Sequence, residues 1–299
     1  MPSDFPPDLP DGWRDAIRRL RLVQAQIPPA YFEAAALAGD RMREIQRQWA
    51  ASIGPALETL SRNWATQWAP ALEAVRGAWK RVMPANWSEL STDEVMAVID
   101  RVRTTGVCLV WVPRESILRD VLAADASATT SVLVENSGDV LDDVVACLDA
   151  IEGTELGDES NATRQAINAF RDGHPEAAQA LASSAFTSAA HVAFATSRTR
   201  KIRAEMAEED PAEAGFSQIR IRTIYAAGAS AFDGFRPDTA SPRHFRFNRH
   251  NTAHRITREQ FTHGNALTAI MLCAGLMREL DYWYRRAAAQ HDPDSDHPT

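Results

Sequence analysis

The chain has 299 residues, a formal net charge of −8 and a hydrophobic content of 45%. This length allows one large domain or two smaller ones, and the composition is that of a globular protein. The acidic balance excludes a nucleic-acid platform that covers the whole surface, although it leaves room for one local basic site.

The three cysteines are scattered along the chain and lie within apolar stretches. This predicts buried, reduced thiols and a cytoplasmic protein. No pair of cysteines has the spacing of metal ligands, and we predict neither a metal nor a cofactor. The N-terminal residues are acidic and rich in proline, unlike a signal peptide. No run reaches the roughly 18–20 apolar residues of a membrane span, so none is predicted.

A regular apolar stripe runs through residues 49–79. Its members follow one another by three or four residues, which is the spacing of one helical face, and several recur at intervals of eleven residues. They are Trp49, Ile53, Leu57, Leu60, Trp64, Trp68, Leu72, Val75 and Trp79. We predict that residues 1–90 form a Trp-rich amphipathic helical arm. The arm either packs on the body of the protein or offers a surface to a protein partner or to a membrane. Its polar face mixes Glu with Arg, which disfavours the membrane surface.

Residues 91–289 are predicted to be mostly helical, and the polar residues 290–299 are predicted to be a disordered tail. Ser91 and Glu94 have the spacing of a capping box, which predicts a helix to about residue 104. The apolar run at 106–113 is predicted to be an extended segment buried between helices. Further helices are predicted after Pro113, on both sides of residues 136–138, and over 161–172, 175–208, 216–232 and about 256–289. The predicted fold class is all-α, an antiparallel helical bundle preceded by a long amphipathic arm.

Basic and titratable residues concentrate in the window 243–263. It holds five arginines, four of the eight histidines and a single acid, Glu259, which makes its formal charge 5 − 1 = +4 with neutral histidines. Cations near a helix N-terminus oppose the helix dipole, so this placement favours a bound anion such as phosphate. An arginine and a histidine beside a phosphate suggest RNA cleavage without a metal. The histidine would move the proton of the 2′-hydroxyl or of the leaving oxygen, and the guanidinium would stabilise the growing charge.

Within this window, Arg249, His250 and His254 form an Arg-polar-x-x-x-His sequence. It resembles the signature of the HEPN superfamily, and the resemblance covers about residues 90–288. The resemblance implies a helical bundle that works as a homodimer, and a metal-independent endoribonuclease of the toxin or defence type. It implies Arg249 and His254 as the catalytic pair, with His250 as their polar support. We further predict that Arg246, Arg255 and Arg258 bind RNA phosphates.

The Arg-x4-His spacing also occurs at Arg258/His263 and Arg286/His291, but only the first occurrence combines a polar second residue other than an acid with a following long apolar helix. Three other interpretations of the window stay open. Its side chains could only cap a helix and bond nearby carbonyls, or they could bind a nucleotide without cleaving it. They could also belong to an ion-pair network in which Asp142 or Asp143 pairs with Arg249 or Arg114.

Two further interpretations follow from the same sequence. His191 lies in an Ala-rich helical stretch and is predicted to be an ordinary core histidine. The alternative to a ribonuclease is a non-catalytic helical binding or assembly protein that uses the Trp-rich stripe, with the 243–263 window in a structural role.

Overall fold

In the computed structural model, residues 83–207, 211, 218–233, 246–254 and 258–289 are described. Helix makes up 76% of this part of the chain and no strand occurs in it, which confirms the all-α fold class. The predicted arm up to residue 82, the tail 290–299 and Arg255 lie outside the described residues. The Trp-rich stripe therefore remains a prediction.

The described ranges contain ten α-helices, which pack together. They are α1 (Thr92–Thr105), α2 (Glu115–Ala123), α3 (Thr129–Glu135), α4 (Ser137–Asp149), α5 (Gly157–Arg171), α6 (Pro175–Ala193), α7 (Thr199–Ala207), α8 (Ile219–Ala231), α9 (Arg249–His254) and α10 (His263–Ala289). Two short 3-10 turns lie at Ala85–Trp87 and Ala126–Ala128.

The predicted capping box starts α1. The Ser91 hydroxyl accepts a hydrogen bond from the backbone N–H of Glu94 at 3.3 Å, and the Glu94 carboxylate accepts one from the N–H of Ser91 at 2.7 Å. Gly106 then ends the helix with a φ of 75°, a left-handed conformation that glycine adopts without a steric penalty. Local chemistry therefore sets both ends of this helix.

The apolar run at 106–113 is buried, as predicted, but its backbone is irregular and not extended, since Trp111 has a φ of 72°. Val107, Cys108, Leu109 and Val110 are at most 1% exposed, although the run belongs to no sheet. Neighbouring side chains form hydrogen bonds with some backbone groups of this segment. For example, the Trp87 indole N–H donates to the carbonyl of Leu109 at 2.9 Å. Buried backbone groups need such partners wherever no ladder supplies them.

Helix α10 forms the centre of the bundle. Every residue from 265 to 277 is buried, and the helix packs most extensively on α6 and also on α3, α4, α5 and α8. A helix that is apolar on all sides must be surrounded by other elements. The three cysteines are unpaired and buried, and burial raises the pKa of each thiol to about 12. Their predicted burial is confirmed.

Three predicted helix boundaries were wrong. Helix α5 begins at Gly157 instead of 161, and the helix predicted over 175–208 is divided into α6 and α7. The division follows from a local cap, since Ala195 has a φ of 48° and the N–H of Thr196 donates to the carbonyl of His191 at 3.2 Å. The last helix begins at His263 and not near 256, because the Thr262 hydroxyl caps the N–H of Asn265 at 3.1 Å.

Within the described part of the chain, no helix combines the length and apolarity that crossing a bilayer requires.

Candidate functional site

The six residues of α9 carry the predicted catalytic motif, and two polar side chains fix this short helix to the bundle. The Asn248 side chain caps it by accepting a hydrogen bond from the N–H of Asn251 at 3.0 Å, and it donates to the carbonyl of Asp233 at 2.8 Å. Thr252 is buried and accepts a hydrogen bond from Gln179 of α6 at 2.9 Å. These contacts decide which face of α9 turns to the solvent.

His250 and His254 lie on the exposed face of α9. Both are exposed, and their ring centroids are 4.6 Å apart, as expected for residues one helical turn from each other. Although His250 is exposed, the neighbouring protein atoms remove part of its ring from water, and this partial burial lowers its pKa from the ordinary value. The nearby charges of His254 and Arg249 lower the pKa further. The neutral imidazole of His250 is therefore favoured near neutral pH, which suits a group that accepts a proton or a hydrogen bond.

Arg249 points in another direction, into a half-buried environment. Its guanidinium carbon lies 5.8 Å from the ring centroid of Phe232, and Nη1 is 3.5 Å from the Thr199 hydroxyl. Its Nε is buried without a hydrogen-bond partner, and burial lowers the pKa of the guanidinium. With 100° of rotation per helical residue, the side chains of Arg249 and His254 start about 140° apart around the axis.

His191, on α6, belongs to the same environment. It is half-buried, and its Nε2 is buried without a hydrogen-bond partner. Burial lowers the pKa of His191, and the positive charge of Arg249 lowers it further. The prediction of an ordinary, satisfied core histidine was wrong, because the packing of α9 on α6 brings Arg249 close enough to affect its protonation.

These four residues, Arg249, His191, His250 and His254, are called the cationic cluster below. Among the described residues, no carboxylate forms an ion pair with any of them. The predicted ion-pair network involves Arg114, which binds Asp143 at 2.7 Å. The other candidate, Asp142, pairs with Arg171. Arg249 thus remains a half-buried cation without a described negative partner, an arrangement that favours binding of an anion.

The structure places the predicted phosphate-binding arginines differently. Arg246 lines a cavity to which no member of the cationic cluster contributes. Arg258 is exposed in the turn that precedes α10. Arg198 and Arg200 are also exposed, just before and within the first turn of α7, and Thr199 between them contacts Arg249. These two cations were not predicted as part of the site, although the sequence places three basic residues within positions 198–201.

No group of three or more His, Cys, Asp or Glu side chains that could hold a metal ion occurs within the described ranges. Comparison with known proteins found no matching family for this chain. It found no matching curated protein and no matching solved structure either.

Proposed function

We propose that the chain is a metal-independent endoribonuclease of the toxin or defence type, which acts as a homodimer through Arg249 and His254. The observation that supports this proposal is the cationic cluster, in which a half-buried guanidinium lacks a carboxylate partner among the described residues. A phosphate diester would supply the missing negative charge. Guanidinium groups bind phosphate oxygens with paired, charge-assisted hydrogen bonds.

In the proposed reaction, the imidazole of His254 accepts the proton of an RNA 2′-hydroxyl. The 2′ oxygen attacks the adjacent phosphorus, the bond from phosphorus to the 5′ oxygen breaks, and the departing oxygen receives a proton from the imidazolium of His254 formed in this step. Arg249 remains positively charged and stabilises the negative charge that grows on the phosphate oxygens. The products carry a 2′,3′-cyclic phosphate and a 5′-hydroxyl.

The side chains of Arg249 and His254 leave the helix in different directions, which affects whether one copy of the chain can form the active site. Side chains that start about 140° apart around an axis approach a common phosphate less readily than side chains one turn apart. Two copies related by twofold symmetry solve this problem, because His254 of one copy can meet Arg249 of the other. We therefore propose that each active site combines groups from both copies.

The test is an RNA cleavage assay with the purified full chain. We expect cleavage that persists in the presence of a metal chelator and yields cyclic phosphate ends. Arg249→Gln and His254→Asn should each lower the rate by about 10²- to 10⁴-fold, the usual contribution of acid–base groups and charge stabilisers. His250→Asn should lower the rate less, since this residue supports His254 and transfers no proton itself.

The matched control is the double variant Arg286→Gln/His291→Asn, which removes an Arg-x4-His pair of the same spacing near the end of the chain. It should cleave RNA at the unaltered rate. RNA that stays intact with the unaltered protein would refute the proposal, and so would equal rates for His254→Asn and the control variant.

A further inference from the structure

A second site is suggested by a cavity of about 330 Å³ that no member of the cationic cluster lines. It opens between the end of α1, the connection from α2 to α3, the residues that precede α9 and the start of α10. Half of its fourteen described lining residues carry a hydroxyl group. Arg246 is the one charged side chain among them, and none of them is an acid. The volume falls at the lower end of the roughly 300–1,000 Å³ that small-molecule sites occupy.

A second cation, Arg101, contacts a residue that lines this cavity. Arg101 Nη1 donates to the hydroxyl of the lining residue Thr129 at 3.0 Å, and its Nη2 donates to the carbonyl of Ala124 at 2.7 Å. The described partners of Arg101 are neutral oxygens, and no described carboxylate forms an ion pair with it. Its charge therefore adds to that of Arg246 and makes the cavity favourable for an anion.

The hydroxyl groups of the cavity can act as donors to such an anion. Thr129 is 1% exposed and its oxygen already accepts from Arg101, so its hydrogen remains available for a ligand oxygen. The Thr262 oxygen likewise accepts from the N–H of Asn265 at 3.1 Å. Two other lining threonines donate to backbone carbonyls instead. The cavity thus combines one lining cation with several hydroxyl groups, of which those of Thr129 and Thr262 accept hydrogen bonds from the protein.

From this arrangement we infer that the cavity binds a phosphate monoester on a hydroxylated, sugar-like skeleton. Arg246 and the hydroxyl of Thr129 hold the phosphate, and the remaining hydroxyls bond the sugar. This site is separate from the proposed ribonuclease site, because neither Arg249 nor the three histidines of the cationic cluster line the cavity. Binding of a phosphate ester in this cavity therefore does not depend on RNA cleavage at the cationic cluster.

The test is isothermal titration calorimetry, which measures the dissociation constants of the full chain for adenosine 5′-monophosphate, ribose 5-phosphate and inorganic phosphate. Adenosine and ribose, which lack the phosphate, serve as uncharged controls. We expect the phosphate esters to bind and the uncharged controls not to bind. A tighter interaction with the nucleotide than with ribose 5-phosphate would identify a nucleotide as the ligand class, whereas equal affinities would identify a sugar phosphate.

Two variants localise the binding. Arg246→Gln should weaken the affinity for the phosphate esters by about tenfold or more, the usual effect of removing one charge-assisted hydrogen bond. Thr104→Trp places a large ring in the cavity from an exposed position and should abolish binding without unfolding the bundle. Arg103→Gln is the matched control, since Arg103 is exposed and does not line the cavity.

His254→Asn separates this inference from the proposed ribonuclease, because it should stop RNA cleavage and leave phosphate-ester binding unchanged. The inference is overturned if no phosphate ester binds at millimolar concentration, or if adenosine binds as well as its monophosphate. Undiminished binding by folded Thr104→Trp would also overturn it, and this variant keeps the test decisive even if Arg246→Gln fails to fold.

Discussion

Arg249 differs from most arginines of this structure in what surrounds its charge. Arg114, Arg164 and Arg171 are partly exposed and pair with aspartates, so water and a carboxylate both stabilise them. Arg249 instead contacts an aromatic ring and one hydroxyl. Burial lowers the pKa of its guanidinium, yet an arginine remains charged at neutral pH. Among the described residues this charge has no carboxylate partner, and a bound phosphate would stabilise it.

The titration of His191 predicts how stability depends on pH. Burial and then Arg249 lower its pKa in the folded protein, whereas the unfolded chain keeps a value of about 6.5. Between the lowered value and about 6.5, the unfolded chain binds a proton that the folded protein does not bind. The free energy of unfolding therefore falls as the pH drops through this window.

The measurement is the melting temperature between about pH 7.5 and pH 5.5. His191→Gln removes the titration, so its melting temperature should fall less over this range than that of the unaltered protein. His174→Gln is the control, because His174 is exposed at the opposite end of the same helix. Identical pH profiles for the His191 variant and the control would contradict this account.

At the scale of helices, a buried ion pair joins α8 to α10. Arg220 and Glu279 are 1% and 0% exposed, and the carboxylate accepts from Arg220 Nε at 3.1 Å. The indoles of Trp111 and Trp283 also donate to Glu279, at 3.0 and 2.9 Å. Trp111 reaches the carboxylate from a backbone with a φ of 72°, a costly conformation for such a residue. The carboxylate thus organises three chain segments.

Glu279→Gln should lower the free energy of unfolding by about 3–5 kcal/mol, because it leaves the Arg220 charge buried without its partner. Arg220→Met/Glu279→Gln should lose less, since no uncompensated charge then remains. Urea unfolding of both variants measures the difference. Asp149→Asn breaks the more exposed pair with Arg164 and should change stability by about 1 kcal/mol or less. A double variant as unstable as the single one would show that the charge is not the cause.

At the scale of the whole molecule, α10 is the scaffold on which both proposed sites are built. The cationic cluster reaches it through α6, on which α9 packs, and the hydroxyl-lined cavity borders its first turn. The surface of α9 that carries His250 and His254 is exposed in the single chain. A second copy could therefore approach these two histidines without rearrangement of the bundle.

The homodimer proposed here makes a specific prediction for mixed variants. Arg249→Gln and His254→Asn should each be inactive alone, whereas an equimolar mixture should recover activity. If each site combines Arg249 of one copy with His254 of the other, half of the mixed population is heterodimeric and has one intact site of two. The expected recovery is therefore about a quarter of the unaltered rate.

Sedimentation velocity provides the independent measurement, with twice the chain mass of 33.0 kDa expected at concentrations that support cleavage. The control is a mixture of Arg249→Gln with Arg249→Gln/His254→Asn, in which no intact site can form. A monomer that cleaves RNA at the full rate would contradict the dimer. Inactive mixtures of dimeric variants would place both groups of a site in one copy.

Local chemistry made much of the described fold predictable. The capping box at Ser91 and the glycine at 106 determine where α1 begins and ends, and the apolar run after it predicted a buried segment. The boundaries that failed depend on weaker signals, such as the turn at Ala195 and the cap at Thr262. Ala195 takes a left-handed conformation that glycine usually supplies, so the sequence carries no clear signal for the break between α6 and α7.

By itself, the sequence determined the helical character, the burial of the cysteines and the concentration of cations around α9. The tertiary structure alone decided which cations meet. It brought His191 and Thr199 to Arg249 and moved Arg246 to a separate cavity, and it joined Arg220 to Glu279 across 59 positions. The physical reason is that helix periodicity depends on neighbours three or four residues apart, whereas the environment of a charge depends on helices that are distant in sequence.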